Sequence, residues 1–481
     1  MLRSALLILS GNAAASLLLL ARNLIVARLI TVENFGIAAT LAIAVSVVEM
    51  MSNLGLQQQI VQSDKGDDPR FQAALQGFSA LRGILLGFLL FALAGPLATF
   101  LDVPQAAWAY QIMALVPVLN SFRHYDIYRL NRQMRFWPLI LTNGLPALAA
   151  VLVLLPFSMW FGDYRIMLYS ILAQSVLEVG TSHMVGTRPY RLVLDRRVMA
   201  DGLSFGWPML INGVLLFAVF QGDKVIVGRE LGMASLAIFA MGFTLTLTPT
   251  LVMAKSSQNF FLPQLSAINR QEKPAHGSFD ALARAVIQVG IVNGVLLVLA
   301  VMILGPPLVT LLLGLKYAAL LPLLIWLGIL QAFRVFKSGS TVVALARRQT
   351  ANAMIANLMR IITLPVAWFV LTRGGDVMAV ILIGILGEMA GFAISLTLVG
   401  WRTKVALRPA AVSFVLTVVF LGLVALSQVP ELVAEVVELP AYTYPATISI
   451  CVALLIWSMK DLQNYIRRRA TFEKSNDPDA P

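Results

Sequence analysis

Apolar segments of about twenty residues recur along this chain, and they restrict its fold more than any other feature does. A helix of that length crosses the roughly 30 Å hydrocarbon layer of a bilayer. Charged residues make up only 12% of the sequence, about half the ~25% typical of soluble domains. We identify about fourteen apolar segments, near residues 5–29, 34–61, 71–95, 104–123, 136–160, 165–187, 207–230, 233–260, 280–304, 317–339, 350–372, 376–399, 409–428 and 442–459. The sequence therefore predicts an all-α polytopic membrane protein.

The first apolar segment resembles a signal peptide only at its start. Arg3 precedes the apolar run, but the run continues past Arg22 to Ile30, which is too long for a cleaved signal. We therefore interpret this segment as the first transmembrane helix.

The loops between segments differ strongly in positive charge. One alternate set of loops carries 24 of the 36 Lys and Arg residues, and the opposite set carries five. The five are Arg28, Arg165, Arg229, Lys316 and Arg373. Because basic loops stay in the cytoplasm, both termini are predicted to be cytoplasmic. The net charge of +12 is then suited to anionic inner-leaflet lipids, and nucleic acid is not an expected partner.

Seven further basic residues fall inside the apolar segments. Three lie near the cytoplasmic ends and are expected to snorkel to the membrane surface: Lys255, Arg334 and Lys337. Four lie deeper: Arg22, Arg82, Lys224 and Arg360. A charge at the bilayer centre costs about 2.5–3.5 kcal/mol on insertion scales, so such residues face a protein interior or a watery cavity. We predict that the four deep cations bind an anionic substrate.

Four acidic residues also lie at membrane depth: Glu49, Glu178, Asp223 and Glu388. They could neutralise the cations within helix pairs. Alternatively, Asp223, Glu49 and Glu388 could bind a proton or sodium ion that drives movement or gating, as intramembrane carboxylates often do.

The two halves of the chain show an internal repeat. A shift of 201 residues places "IVAR" (25–28) on "IVGR" (226–229) without a gap. Six spans separate the copies, so the halves have the same orientation and form a parallel repeat. Under this shift Arg22 corresponds to Asp223, and the two could pair across the lobe interface as an outer latch. Local pairing of each residue within its own lobe is the alternative.

Several short motifs resemble those of Wzx-type polysaccharide flippases, the polysaccharide transporter family of the multidrug/oligosaccharidyl-lipid/polysaccharide exporter superfamily. They are "ARNLIVARLITVENFGIAAT", "NLGLQQQIVQ", "GDKVIVGRELGMASLAIFAMGFTLTLTP" and "NFFLPQLSAI". The resemblance implies two six-helix lobes around a central cavity, residues 1–190 and 191–405. Two additional transmembrane helices at 406–460 and a basic cytoplasmic tail at 461–481 would follow.

The same resemblance implies a function. Such proteins flip undecaprenyl-diphosphate-linked oligosaccharides across the bacterial inner membrane by alternating access, for surface polysaccharide, exopolysaccharide or O-antigen synthesis. Arginines grip phosphate oxygens well, which fits Arg22, Arg82 and Arg360. The implied partners are the lipid-linked oligosaccharide, H⁺ or Na⁺ as coupling ion, and a polysaccharide polymerase with its glycosyltransferases. A cation-coupled drug or metabolite antiporter of the same superfamily is the alternative.

An enzyme is not predicted. A polymerase or glycosyltransferase would carry a sizeable outer loop, whereas the longest outer loop here is about Gln428–Tyr442. The three histidines form no metal-ligand spacing, and no phosphate-binding glycine motif occurs. We therefore expect no catalytic residues, no metal and no cofactor.

Overall fold

The computed structural model describes residues 2–270, 276–429 and 443–475. Within these residues the regular structure is helical and contains no strand. Most of the predicted outer loop Gln428–Tyr442 and the last six residues of the basic tail lie outside the described residues.

The α-helices follow the apolar segments of the sequence. They are α1 (Leu2–Leu29), α2 (Val32–Met51), α3 (Leu56–Gln62), α4 (Pro69–Phe100), α5 (Ala107–Met113), α6 (Leu115–Ser121), α7 (Asp126–Arg132), α8 (Trp137–Leu152), α9 (Leu154–Trp160), α10 (Arg165–Val185), α11 (Arg196–Arg270), α12 (His276–Leu312), α13 (Leu321–Ala346), α14 (Ala351–Thr372), α15 (Val377–Thr403), α16 (Ala411–Leu426), α17 (Thr443–Ser458) and α18 (Lys460–Ser475).

Helix starts agree with local capping chemistry. Thr31 has extended backbone geometry, and its side chain accepts a hydrogen bond from the Asn34 amide at the start of α2. Asp68 does the same for the Arg70 amide, with Pro69 as the first residue of α4. Both satisfy amides that have no partner within the helix.

The polytopic fold is confirmed. Nine described helices are long and apolar enough to cross a membrane, and the bent pair α17 and α18, with 60° between its helices, would add a tenth. Helix α11 contains two of the predicted spans. These meet at Gly232, whose φ of 80° breaks the helical geometry; glycine tolerates this conformation because it has no Cβ. The count of fourteen spans stays a prediction.

The chain forms two compact units. Unit 1 comprises residues 1–244, 309–318 and 367–377, and unit 2 comprises residues 245–308, 319–366 and 378–481. Unit 1 contains a buried cluster around Leu54, Ile60 and Tyr128. Unit 2 contains one cluster around Phe336 and Phe420, and a second around Phe279, Val343 and Val399. The predicted lobe boundaries at 190 and 405 stay a prediction.

Candidate functional site

A polar cavity of about 240 Å³ lies within unit 1. It brings together two of the predicted site residues, Glu49 from α2 and Arg82 from α4. The cavity is lined by Val48, Glu49, Ser52, Asn53, Gln57, Ser79, Arg82, Gly83, Leu86, Pro117, Asn120, Ser121, Arg123 and Tyr125. Most of these side chains are polar, although the helices that carry them are largely apolar.

Hydrogen bonds hold the charged groups of this cavity in place. Arg82 Nη1 donates to the Ser52 carbonyl at 2.6 Å. Asn120 Nδ2 donates to Glu49 Oε1 at 2.8 Å. Gly83, the residue after Arg82, allows α4 to approach α6, since a Cβ there would lie 2.1 Å from Ser121 Cβ. Both charged residues are predicted from the sequence, whereas Asn120 is not.

An ion pair lies at the edge of the cavity. Arg123 and Glu178 form an ion pair with both side chains largely buried, and Arg123 Nη1 also donates to the Tyr128 hydroxyl at 3.2 Å. Glu178 on α10 therefore has the role of a counter-ion, as one of the two interpretations of the deep carboxylates predicts. With Glu49 and Arg82, these residues make two cations and two carboxylates.

Arg22 lies away from that cavity in the same unit. Its side chain on α1 is buried, and Nη1 donates to Gln174 Oε1 on α10 at 2.7 Å. Arg22 Nε is buried without a hydrogen-bond partner in the described part of the chain. In this conformation Arg22 pairs locally with a neutral amide, and the latch to Asp223 stays a prediction.

Asp223 and Lys224 lie on α11 before the break at Gly232. Asp223 is buried. The Lys224 ammonium donates to Gln221 Oε1 at 3.1 Å and lies 4.8 Å from the centroid of the Phe243 ring. An aromatic face and an amide oxygen both stabilise an ammonium inside a bundle.

Unit 2 contains a buried charge cluster centred on Glu388 of α15. Its Oε1 accepts a hydrogen bond from Arg334 Nε at 2.6 Å, and its Oε2 accepts one from Lys337 Nζ at 3.0 Å. Arg360 Nε lies 3.8 Å from Oε1. We call Arg334, Lys337, Arg360 and Glu388 the Glu388 cluster.

The prediction that Arg334 and Lys337 snorkel is wrong. The Arg334 and Lys337 side chains are only 7% and 11% exposed, because an internal carboxylate offers them a partner inside the bundle. Their spacing of three residues on α13 places them on one helix face, a signal that sequence analysis did not use.

Glycines on α15 make room for this cluster. A Cβ at Gly384 would lie 3.1 Å from Arg360 Nη2, and a Cβ at Gly387 would lie 3.4 Å from Arg360 Cδ. Gly391 lies against the Ala356 carbonyl, with the Lys337 ammonium 3.8 Å from a Cβ at that position. The pattern G-x-x-G-E-x-x-G around Glu388 is the sequence signal for this close packing.

A hydrogen-bonded clasp orders the loops between the predicted spans on the basic side of unit 1. Asp126 Oδ1 accepts from Arg129 at 2.5 Å, and Oδ2 accepts from the Thr187 amide and hydroxyl, both at 2.8 Å. Burial alone raises the pKa of Asp126, but these hydrogen bonds outweigh it and hold the pKa at about 2. His124 Nδ1 accepts from the Asp126 amide, and burial lowers the pKa of His124.

Within unit 1, residues from loops that are predicted to lie on the outer side connect the second half of the sequence to the first. The Lys316 ammonium donates to the Arg28 and Ile30 carbonyls at 2.9 and 2.6 Å, at the end of α1. The Arg229 guanidinium donates to the Phe100 carbonyl at 2.9 Å. We call these three bonds, with the packing described next, the outer contacts.

The outer contacts also include a backbone approach. A Cβ at Gly36 would lie 2.0 Å from the Met233 carbonyl oxygen, so only glycine fits here. The Phe35 ring packs edge-on against Tyr317, with centroids 6.4 Å apart. Phe35 and Gly36, which belong to the quoted motif "ARNLIVARLITVENFGIAAT", thus serve helix packing.

Comparisons with known proteins agree with this architecture. The lipid II flippase MurJ, in an inward closed conformation, is similar with a TM-score of 0.68 at 12% identity over 97% of this chain and all of that chain. An inward-facing multidrug resistance MATE family transporter of the MOP superfamily is similar with a TM-score of 0.65 at 13% identity, covering 82% of this chain and 96% of that one. These identities show the fold alone.

Two curated proteins are similar in sequence. The succinoglycan biosynthesis transport protein ExoT of Rhizobium meliloti is 25% identical over 50% of this chain and 48% of its own length. The amylovoran biosynthesis protein AmsL of Erwinia amylovora is 24% identical over 54% of this chain and 68% of its own length. The chain thus spans about half the length of ExoT.

A family profile described as "Polysaccharide biosynthesis protein" matches residues 25–322. This match includes α2 to α10, the whole of α11 and the first polar cavity. The relatives and neighbours are transport or polysaccharide biosynthesis proteins, in agreement with the prediction that the chain is not an enzyme. This multi-pass membrane protein belongs to the polysaccharide biosynthesis protein family.

Proposed function

We propose that this protein flips undecaprenyl-diphosphate-linked oligosaccharides from the cytoplasmic to the periplasmic leaflet of the bacterial inner membrane. The observation that carries the proposal is the Glu388 cluster, in which three cationic side chains share one buried carboxylate. A transporter of neutral sugars does not need such a cluster, whereas a transporter of a diphosphate-linked substrate needs cationic groups to bind the phosphates. The membership of the family and the fold it shares with MurJ support the same substrate class.

In this proposal the Glu388 cluster recognises the diphosphate. Two guanidinium groups can each hold a phosphate through paired N–H donors. Glu388 acts as a fixed counter-ion that keeps these guanidinium groups oriented when no substrate is bound. Its protonation would leave three buried cations around a neutral group, which is costly, so Glu388 is poorly suited to carry the coupling proton.

The other predicted residues keep roles in this proposal. Arg22, Arg82 and Lys224 are proposed to contact the substrate during its passage. Asp223 and Glu49 are the proposed residues for coupling to H⁺ or Na⁺; Glu49 borders a polar cavity and is exposed to it, which is a requirement for ion entry.

The outer contacts are proposed to form the periplasmic gate of an alternating-access cycle. Lys316 would hold the end of α1 while the cytoplasmic side admits the substrate. Its two bonds to backbone carbonyls must break before the outer side opens. The acceptors are neutral carbonyls, and breaking a hydrogen bond to a neutral carbonyl costs less free energy than breaking a buried ion pair. This lower cost favours a role in a gate.

On the cytoplasmic side, the basic loops and α18 are proposed to bind anionic lipids. Arg284 forms two hydrogen bonds to Asp461 at 2.9 and 3.0 Å, and so fixes the start of α18 at the basic face. Polymerase and glycosyltransferases that supply and consume the substrate are proposed partners.

The fold alone also fits a cation-coupled antiporter, since a MATE transporter is a structural neighbour. The Glu388 cluster disfavours it: a cationic drug would approach three cationic side chains. Substrate assays separate the two functions.

The test uses cells that lack the gene and accumulate the lipid-linked oligosaccharide. Wild type should restore surface polysaccharide, whereas Arg360→Gln should leave the lipid-linked oligosaccharide in the inner leaflet at a normal protein level. Arg360→Lys keeps the charge but not the paired donors and should restore transport partly. Gln105→Ala is the matched control, because Gln105 is exposed and has no role in the proposal. No polysaccharide defect in the deletion strain would refute the proposal and favour the antiporter.

A further inference from the structure

The polar cavity of unit 1 differs chemically from the Glu388 cluster. Two cations, Arg82 and Arg123, and one carboxylate, Glu49, line it, and Glu178 pairs with Arg123 beside it, so the positive and negative charges in and around the cavity are equal in number. A phosphate placed here would lie beside the Glu49 carboxylate, and like charges at short range repel. The cavity is therefore better suited to a neutral polar group than to the diphosphate.

The remaining polar groups of the cavity include both donors and acceptors of hydrogen bonds. Asn53, Gln57 and Asn120 present amide groups, and Ser79 presents a hydroxyl. The Ser52 and Ser121 hydroxyls donate to backbone carbonyls of their own helices and can only accept from a ligand. Asn120 gives one donor to Glu49, and its Oδ1 has no partner in the described part of the chain. Sugar hydroxyls donate and accept, so they match amides and carboxylates together.

The size of the cavity limits its occupant. At about 240 Å³ it is smaller than the roughly 300–1,000 Å³ of pockets that enclose drug-sized ligands. A space of this size suits a single sugar ring better than a whole oligosaccharide.

We infer that this cavity is a specificity-determining subsite that holds one sugar ring of the lipid-linked oligosaccharide, with Glu49, Arg82 and Asn120 as its hydrogen-bonding groups. The inference rests on the proposed function and assigns the glycan and the diphosphate to different units. A site that hydrogen-bonds a hydroxyl rejects an analogue without it, because its own polar groups are then left unpaired. Such a subsite would therefore select among glycans that share the same lipid diphosphate.

The test compares two probes on the purified full-length protein in nanodiscs. One probe is the polyprenyl-diphosphate-linked oligosaccharide extracted from cells lacking the gene, and the other is the same polyprenyl diphosphate without sugar. Asn120→Ala should weaken binding of the sugar-bearing probe about tenfold, as expected for losing a hydrogen bond to a charged or buried group. Binding of the sugar-free probe should not change.

A second variant guards against misfolding. The Gln57 side chain lines the cavity, is exposed and makes no hydrogen bond in the described part of the chain, so Gln57→Ala removes a proposed sugar contact without breaking a protein hydrogen bond. It should show the same selective loss, while Gln105→Ala should bind both probes as wild type does. Arg360→Gln should weaken both probes, because both carry the diphosphate.

Equal weakening of both probes by the cavity variants would overturn the inference and make the cavity a phosphate site. No weakening of the sugar-bearing probe by any cavity variant would also overturn it. If wild type binds neither probe, the proposed function itself fails, and this outcome is distinct from the other two.

Discussion

The Glu388 cluster gives the sharpest prediction about stability. Glu388→Gln keeps the size of the side chain but removes the charge that Arg334, Lys337 and Arg360 share. The Glu388 side chain is fully buried, so water cannot replace the carboxylate. Removing one partner of a buried ion pair costs about 3–5 kcal/mol. Lys337 keeps its bond to Asn357 and Arg360 keeps its bond to Thr363, which favours the lower half of that range.

The assay is thermal unfolding of the purified protein in one detergent. At about 2 °C per kcal/mol for a unit of roughly 200 residues, a loss of about 3–4 kcal/mol should lower the apparent melting temperature by about 6–8 °C. Asp102→Asn is the control: Asp102 is exposed and has a φ of 57°, which asparagine tolerates, so its melting temperature should not change. The double variant Glu388→Gln/Arg334→Gln should lose less than the sum of its single changes, because it removes a charge that has lost its partner. A Glu388→Gln protein that melts within 1 °C of wild type, roughly the effect expected for a surface change, would refute this account of the cluster.

Three further changes test other parts of the structure. Gly36→Ala should destabilise by about 1–3 kcal/mol through overpacking against the Met233 carbonyl, whereas Gly180→Ala, with open space around its Cβ position, should stabilise slightly; equal melting temperatures would contradict the close approach. Asp126→Asn should lose about 1–2 kcal/mol at pH 7 after allowance for solvent screening. Because the pKa of Asp126 lies below its usual value, wild type should keep this contribution above about pH 4 and lose it towards pH 2, so a pH-independent difference between the two proteins down to pH 2 would count against it. Arg22→Ala should leave the lipid-linked oligosaccharide in the inner leaflet at a normal protein level, and full recovery of surface polysaccharide would remove Arg22 from the substrate path.

Much of the site could be located from sequence, but its pairings could not. The rule that charge at membrane depth needs a reason identified Arg82, Glu49, Arg360 and Glu388 one by one. It did not predict that the first two line one cavity, or that the last two belong to one cluster. Hydropathy reports the depth of a residue along its own helix, whereas a partner is set by which helix packs beside it.

The prediction that Arg334 and Lys337 snorkel was wrong for the same reason: their partner is set by the helix that packs beside α13. Their depth along α13 allowed the side chains to reach the membrane surface. The choice was decided by Glu388, more than fifty residues away in the chain, and by glycines on α15 that let the cations approach it. A hydrogen-bonded carboxylate inside the bundle competes with solvation at the surface. The sequence does not give the distance between Glu388 and these two cations.

The sequence by itself determined the class of the protein. The length of apolar runs and the placement of basic residues are local properties, and they alone decide whether a segment inserts into a bilayer and in which orientation. The sequence also determined that the apolar segments 207–230 and 233–260 are separate spans, which meet at Gly232 in the structure, and which charged residues required partners. The tertiary structure alone decided which charges meet. It separated a charge-balanced polar cavity in unit 1 from a cationic cluster in unit 2, because electrostatic partners are fixed by helix packing over distances in the chain that no local pattern records.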